Sequence, residues 1–234
     1  METWSFKDED GEAARVNAMD GHPSTATAIA CINNFDIGTI PDRVITINAD
    51  KKGAARTVTA LSNDDPETRF SPSGRRAVFS SGYGTLRFFS TDRNGSLTAT
   101  GSISVKGMPT DMAFSQDDSF VAVALAHPMQ NTGELVIADM DKDVIASRKY
   151  PSFALGVDID AQNNILAGTD MQGPGTMNGI LEMFSFDKNT GKLKKRASQE
   201  LRASIKAVRF AAPNQAILAL SGDDYRIAVC RIMT

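Results

Sequence analysis

The sequence predicts an all-β protein built from repeated four-stranded antiparallel units, and three observations lead to this prediction. Short apolar runs alternate with turn signals along the whole chain. No window keeps apolar residues at positions i, i+3, i+4 and i+7 over three turns, so almost no helix is expected. A pattern of strands and turns also recurs, with equivalent positions separated by about 44, 45 and 51 residues.

The most regular unit runs from residue 69 to residue 107. A Ser-Pro-Ser-Gly turn at 71–74 precedes the apolar run Ala77-Val78-Phe79, because proline presets φ and glycine accepts positive φ. The pair Asn94-Gly95 is a strong hairpin signal. Residues 96–105 are more polar, which is typical of an exposed outer strand.

Copies of this unit continue at Met112, Val157 and Ile205. A repeat of this length is typical of the blades of a β-propeller, which has roughly four to eight blades. We therefore predict one propeller domain over residues 1–234 with about five blades. The predicted blades are residues 22–66, 67–109, 110–154, 155–203, and 204–234 together with 1–21.

The last repeat is one strand short of the others. Residues 2–19 offer strands with no inner pair before them, so we predict that they join residues 205–232 in one blade. Pairing of strands from the two chain ends would close the ring and remove two sheet edges at once. The alternative is that the chain is a piece of a longer ring, typically of seven blades.

Charge and composition exclude several classes of function. The net charge of −3 and the pI of about 5.4 give no overall attraction for nucleic acid. No apolar run approaches the roughly 18 residues that span a bilayer, and the acidic N-terminus lacks the apolar core of a signal peptide. Cys31 and Cys230 lie far apart and are expected to be reduced thiols, which favours a cytoplasmic protein.

The sequence contains no motif that is typical of a metal site or a cofactor site. Two histidines make a histidine-based metal site improbable on count alone. Gly173-Pro174-Gly175 is not followed by Lys-Ser or Lys-Thr, as a phosphate-binding loop would be. We therefore predict neither a metal nor a cofactor. The aspartates Asp111, Asp158, Asp160 and Asp170 either line a central channel and bind a cation or accept hydrogen bonds from backbone amides at strand ends.

Three stretches resemble two known propeller families. Asp20-Gly21-His22 followed by residues 25–32 resembles the Gly-His opening of a WD40 repeat, and residues 69–89 fit the same pattern. The Trp-Asp dipeptide of that family is absent. Residues 187–193 (DKNTGKL) resemble a charged turn of the lactonase-type propellers, such as 6-phosphogluconolactonase-like proteins. The first resemblance implies a structural His22 and a protein-binding role, and the second implies hydrolysis at a ring mouth.

We predict a non-catalytic interaction module, a scaffold or adaptor that binds a protein partner through three long loops. These loops are residues 33–42, 127–133 and 170–178, since loops carry function more often than regular strands. The alternative is a lactonase-type hydrolase with His127 as general base, and a sugar-binding role is weakened by one Trp and three Tyr. The predicted binding residues are Phe35, Asp36, His127, Met129, Gln130, Asp170, Met171 and Met177.

Overall fold

Five antiparallel sheets, named blades 1 to 5 in chain order, make up the protein in a computed structural model. The structure describes residues 15–33, 43–48, 55–60, 67–81, 84–92, 95–140, 143–170, 178–212, 214–222 and 225–232. Within these residues consecutive strands pair in every sheet, and four of the blades have four described strands while blade 5 has three. This is the predicted all-β architecture of propeller blades.

The strands have the following bounds. Blade 1 contains β1 (Arg15–Gly21), β2 (Thr27–Asn33), β3 (Arg43–Asn48) and β4 (Ala55–Ala60). Blade 2 contains β5 (Thr68–Phe70), β6 (Arg76–Ser81), β7 (Thr85–Thr91) and β8 (Leu97–Ser104). Blade 3 contains β9 (Met108–Phe114), β10 (Phe120–His127), β11 (Thr132–Asp139) and β12 (Val144–Tyr150). Blade 4 contains β13 (Ala154–Ile159), β14 (Asn164–Thr169), β15 (Gly179–Asp187) and β16 (Lys192–Leu201). Blade 5 contains β17 (Ser204–Ala212), β18 (Gln215–Ser221) and β19 (Tyr225–Arg231).

Strand β1 corrects one prediction. It pairs with β2 throughout its length, so residues 15–19 belong to blade 1 and not to the last blade. The prediction was wrong there because alternation identifies a strand without identifying the strand it pairs with. Residues 2–14, the rest of the predicted closing segment, lie outside the described residues.

The chain divides into two compact units, the first of which comprises residues 1–70 and 74–102. Its core joins Ile29, Cys31 and Val44 of blade 1 to aromatic and small residues of blade 2. The Phe70 N–H donates to Asp20 Oδ2 at 2.6 Å, which ties the first strands of the two blades together.

Turn chemistry in this unit also agrees with the sequence. Gly74 has φ of +70° in the predicted Ser-Pro-Ser-Gly turn, and a side chain at this position would collide with the His22 ring. His22 Nε2 lies 2.9 Å from the Gly74 carbonyl oxygen. The expected structural role of His22 is therefore confirmed.

The second unit comprises residues 71–73 and 103–234 and includes blades 3, 4 and 5. Apolar side chains pack between adjacent blades in two clusters, one between blades 3 and 4 and the other between blades 4 and 5. Phe120 and Phe186 meet edge to face in the first cluster, with ring centroids 4.9 Å apart. Among the described residues of the chain, the one helix is the 3₁₀ turn η1 (Pro128–Gln130), and none is long enough to cross a membrane.

Candidate functional site

The loop between β10 and β11 contains the predicted residues His127, Met129 and Gln130. Strand β10 is buried along its whole length except at its last residue, His127. Pro128 begins the η1 turn with its fixed φ, and Asn131 ends the turn in the left-handed conformation with φ of +52°. The turn leaves the Met129 side chain 98% exposed. The sequence thus fixes a short, defined turn that presents one apolar side chain to solvent.

A cavity of about 760 Å³ lies beside this turn. Its volume is within the range typical of ligand sites, roughly 300–1,000 Å³. Residues of β10, β11 and β12 and the two residues just before β9 contribute to it, because the second and fourth strands end at the edge where the first and third begin. The lining residues are Lys106, Gly107, His127, Gln130, Thr132, Gly133, Glu134, Lys149 and Tyr150.

Hydrogen-bond donors predominate in this lining. Lys106 and Lys149 are exposed, and neither forms an ion pair with any residue that the structure describes. Glu134 is the one carboxylate of the lining, and it lies directly across the sheet from Lys149. Two ammonium groups against one carboxylate make the cavity suited to an acidic group of a ligand or partner.

His127 and Glu134 form a half-buried pair in this cavity. His127 Nε2 lies 3.6 Å from Glu134 Oε2, and the two side chains are 17% and 14% exposed. A Cβ on Gly107 would lie 2.8 Å from His127 Cε1, so the absence of a side chain there gives the imidazole its space. The carboxylate is thus the near neighbour of the imidazole in this cavity, at a distance beyond that of a direct hydrogen bond.

Tyr150 forms the inner wall of the cavity and rests on a charged cluster. Its side chain is buried, and Arg148 Cζ lies 5.6 Å from its ring centroid. The carboxylate of Glu182, only 2% exposed, pairs with Arg148 at 3.3 Å and with Lys195 Nζ at 3.2 Å. Burial and then the charge of Glu182 raise the pKa of Tyr150 far above its ordinary value. Tyr150 is therefore a neutral hydroxyl at physiological pH.

Asp170 lies at the corresponding edge of blade 4, immediately after β14. Its backbone N–H donates to the Phe153 carbonyl at 2.8 Å, and the Ser152 hydroxyl donates to the Asp170 carbonyl at 2.9 Å. Its carboxylate lies 3.6 Å from Lys206 Nζ. The segment that links blades 3 and 4 thus holds Asp170 in place at this edge.

The structure brings some predicted binding residues together and leaves others undescribed. His127, Met129 and Gln130 share one turn, and Asp170 follows the second strand of the next blade. All three predicted loops connect the second and third strands of their blades. Phe35, Asp36, Met171 and Met177 lie outside the described residues. Sequence reasoning missed Lys106, Glu134, Lys149 and Tyr150, although the alternation of strand direction could have placed these strand ends at one edge.

The other aspartates hydrogen-bond to backbone amides, the second of the two roles predicted for them. The Val157 N–H donates to Asp111 Oδ2 at 3.1 Å, and the Phe210 N–H donates to Asp158 Oδ2 at 2.7 Å. Each bond joins the first strand of one blade to the first strand of the next blade, β9 to β13 and β13 to β17. Asp160 accepts from the Gln162 and Asn164 amides within its own turn.

Two of these aspartates have further electrostatic features. Arg209 Nη1 approaches Asp111 Oδ2 at 2.8 Å, so a guanidinium from β17 of blade 5 reaches a carboxylate on β9 of blade 3. Burial raises the pKa of Asp158, although the Phe210 amide and the Arg209 charge act in the opposite direction. Within the described residues, no three His, Cys, Asp or Glu side chains converge as ligands of one metal ion would.

No protein-family model matches the chain, and no curated protein matches its sequence. Solved structures do match its fold. Hydrazine synthase from Kuenenia stuttgartiensis aligns with a TM-score of 0.69 and 14% identity, over 93% of this chain and 65% of that chain. The present chain thus spans less than two thirds of that protein.

Two propeller structures are similar as well. The β-propeller domain of Cps50 (Swd1) from Myceliophteria thermophila aligns with a TM-score of 0.64 and 11% identity, over 95% of this chain and 74% of that one. The WD40 repeats of RRP9 align with a TM-score of 0.62 and 11% identity, over 93% of this chain and 67% of that one. The fold is therefore a β-propeller with five blades, and the predicted likeness to WD40 propellers is confirmed at the level of the fold.

Proposed function

We propose that the protein is a non-catalytic interaction module that binds a protein partner through the β10–β11 turn and the cavity beside it. One observation supports this proposal above all. The side chain of Met129 is 98% exposed, and it lies next to a cavity lined mainly by hydrogen-bond donors. Methionine adapts to apolar partner surfaces, and an exposed apolar tip beside charged groups is typical of a contact surface.

The chemistry of the cavity defines the kind of partner. Lys106 and Lys149 attract a carboxylate or a phosphorylated side chain, and Gln130 and Thr132 add hydrogen-bonding groups at the rim. Met129 then packs on an apolar residue of the partner near that acidic group. WD40 propellers among the similar structures support a role in protein interaction at the level of the fold.

Affinity capture with paired variants tests this proposal. The wild-type chain should retain a protein from an extract of its source organism, and Met129→Lys and Lys149→Glu should each weaken that retention by about tenfold. Lys194→Glu is the matched control, because Lys194 is an exposed lysine on the outer strand β16. Equal retention by all four proteins would contradict the proposed surface.

One observation favours a second candidate, a hydrolase of the lactonase type. The His127–Glu134 pair lines the cavity with its imidazole held at 3.6 Å from the carboxylate, an arrangement suited to a general base that activates water. Lactone hydrolysis by the wild-type chain that disappears in His127→Ala would support this function. Equal background hydrolysis in both proteins would eliminate it.

A further inference from the structure

The side chains of His127, Glu134 and Lys149 share one face of blade 3. Glu134 lies directly opposite Leu125 on β10 and opposite Lys149 on β12, so these three side chains point to the same side of the sheet. His127 is two residues beyond Leu125 and therefore points to that side as well. The register of three neighbouring strands thus brings an imidazole, a carboxylate and an ammonium group together in the lining of the cavity.

The ring of His127 has hydrogen-bonding capacity to spare. Its Nε2 lies 3.6 Å from Glu134 Oε2, and its Nδ1–Cε1 edge lies against Gly107, which has no side chain to fill the space. Neither ring nitrogen makes a direct hydrogen bond within the part of the chain that the structure describes. A half-buried imidazole in the wall of a cavity is therefore available to a ligand.

The charge of the cavity depends on the proton of His127. Lys106, Lys149 and Glu134 together give the lining a net charge of +1 when the imidazole is neutral and of +2 when it is protonated. With the neutral Tyr150, these are the charged and titratable side chains that surround His127 in the cavity. Histidine is the side chain that changes charge between about pH 5 and pH 8, so one proton doubles the net positive charge of the lining.

We propose that the cavity binds a phosphate monoester, carried by a phosphorylated side chain of the protein partner, and that His127 takes up a proton as the phosphate enters. This inference rests on the proposed function, because it names the acidic group that the partner contributes. A phosphate monoester has about −1.5 to −2 charges at pH 7 and three strong acceptor oxygens. Its charge matches the lining with a protonated His127, whereas a carboxylate matches the lining without the added proton.

Glu134 couples the proton to the phosphate. Its carboxylate would repel a dianion in the same cavity. An imidazolium beside Glu134 offsets that charge and leaves the two ammonium groups, Lys106 and Lys149, to pair with the phosphate oxygens. Binding should therefore be tightest near the pH at which His127 is protonated and the phosphate has lost its second proton, whose pKa is about 6.

Isothermal titration calorimetry with two blocked tripeptides and inorganic phosphate tests the ligand class. At pH 6.5 the peptide Ac-Leu-pSer-Leu-NH2 should bind the whole chain about tenfold more tightly than Ac-Leu-Glu-Leu-NH2. Inorganic phosphate should bind more weakly than the phosphopeptide, because it brings no apolar residue to Met129. Lys106→Gln and Lys149→Gln should each weaken phosphopeptide binding by about tenfold. Lys194→Gln, the same change at an exposed lysine of β16, should leave it unchanged.

Calorimetry at pH 7.5 in buffers of different ionisation enthalpy tests the role of His127. The phosphate is already a dianion at this pH, so a proton taken up on binding enters the protein. The wild-type chain should take up a proton with the phosphopeptide, and His127→Gln should not. Between pH 6.5 and pH 8 the affinity should fall by about tenfold in the wild type and by less than about twofold in His127→Gln. Circular dichroism of each variant confirms that the sheets are folded.

Three results would overturn the proposal. Equal affinity for the two peptides would remove the phosphate specificity and leave the proposed function standing. Inorganic phosphate that binds as tightly as the phosphopeptide would assign the cavity to a free anion. Proton uptake that His127→Gln leaves unchanged would exclude His127 from recognition.

Affinity capture separates the failure of this inference from the failure of the proposed function. A partner that the wild-type chain retains and Met129→Lys loses, together with no binding of the phosphopeptide, would refute the phosphate alone. Loss of both the partner and the peptide binding would refute the proposed surface itself.

Discussion

Blades 4 and 5 lie side by side in one compact unit, and their third strands have opposite surroundings. Strand β15 of blade 4 lies between β14 and β16, and most of its side chains are buried. Strand β19 of blade 5 has β18 on one side, and most of its side chains are exposed. Both strands carry large aliphatic residues. Side chains of β15 enter the apolar clusters on both faces of blade 4, whereas Tyr225, Ile227 and Val229 enter no cluster among the described residues. The comparison shows that the blades packed against a strand's two faces, and not the strand's own composition, decide whether its apolar residues are buried.

The largest expected effect comes from truncating equivalent residues of the two strands. Leu181, the third residue of β15, is 4% exposed, and Ile227, the third residue of β19, is 79% exposed. Leu181→Ala should lower the free energy of unfolding by about 2–5 kcal/mol, because it leaves a cavity in the core. Ile227→Ala should change it by less than about 0.5 kcal/mol in dilute solution. Urea denaturation of both variants measures the difference, and equal losses would refute the distinction between the strands.

The second largest effect on stability is expected at the first strands of the blades. Blade 5 resembles the other blades there, because its first strand donates an amide to an aspartate of blade 4 just as blade 4 does to blade 3. Asp111→Ala removes a buried acceptor from the Val157 N–H and from Arg209. An unsatisfied buried amide costs about 1–3 kcal/mol, so we expect a loss of about 2 kcal/mol in unfolding free energy. Asp143→Ala provides a comparison, since Asp143 is an exposed aspartate in the strand connection before β12. A loss in Asp111→Ala no larger than that in Asp143→Ala would show that this link contributes little.

A third effect concerns the rim, where blades 3 and 4 are joined by an ion pair. Asp117 accepts from Lys188 Nζ at 2.6 Å and from the hydroxyl groups of Ser115 and Ser119. Burial would raise the pKa of Asp117, but these hydrogen bonds outweigh it and hold the pKa well below its ordinary value of 3.8.

The corresponding stabilisation is present above pH 3.8 and is lost as the pH falls below it, because the folded state then resists protonation. Since both side chains are about half exposed, Asp117→Asn should cost only about 1 kcal/mol at neutral pH. The difference from wild type should shrink as unfolding is measured at progressively lower pH. A difference that stays constant with pH would rule out the charge as its source.

The smallest effect is expected at the exposed methionine of blade 3. Met129→Ala removes a side chain that is 98% exposed, so the free energy of unfolding should change by less than about 0.5 kcal/mol. Thermal unfolding measured beside Leu181→Ala provides the scale. A loss comparable to that of Leu181→Ala would mean that Met129 packs within the protein and is not a contact residue.

Much of the fold could be predicted from the sequence because its signals are local. Turns such as Ser71-Pro72-Ser73-Gly74, and the alternating apolar runs between them, require no knowledge of distant residues. The spacing of the repeats predicted five blades, and five are present in the structure. The last repeat is one strand short in the sequence, and residues 15–19, predicted to help complete it, pair within blade 1. The prediction for residues 15–19 was wrong because a short strand with exposed positions fits an outer place as well as an inner one.

The candidate site was predictable only in part. His127, Met129 and Gln130 adjoin one another along the chain, so a loop prediction contains all three. Lys106 and Lys149 lie more than one strand away from that loop and join it only when four antiparallel strands align their ends. The pairing of His127 with Glu134 depends likewise on the register of β10 with β11.

The sequence by itself determined the strands, the turns and the number of blades, since backbone propensity and apolar alternation act over a few residues. The tertiary structure alone decided which strands are covered, which carboxylates accept amides from the next blade, and which strand ends enclose a cavity. These features depend on register and on the choice of neighbouring strand. Blade 4 has an apolar cluster on each face, and the exposed face of β19 has none among the described residues, so two strands that both contain large aliphatic residues give a buried β15 and an exposed β19.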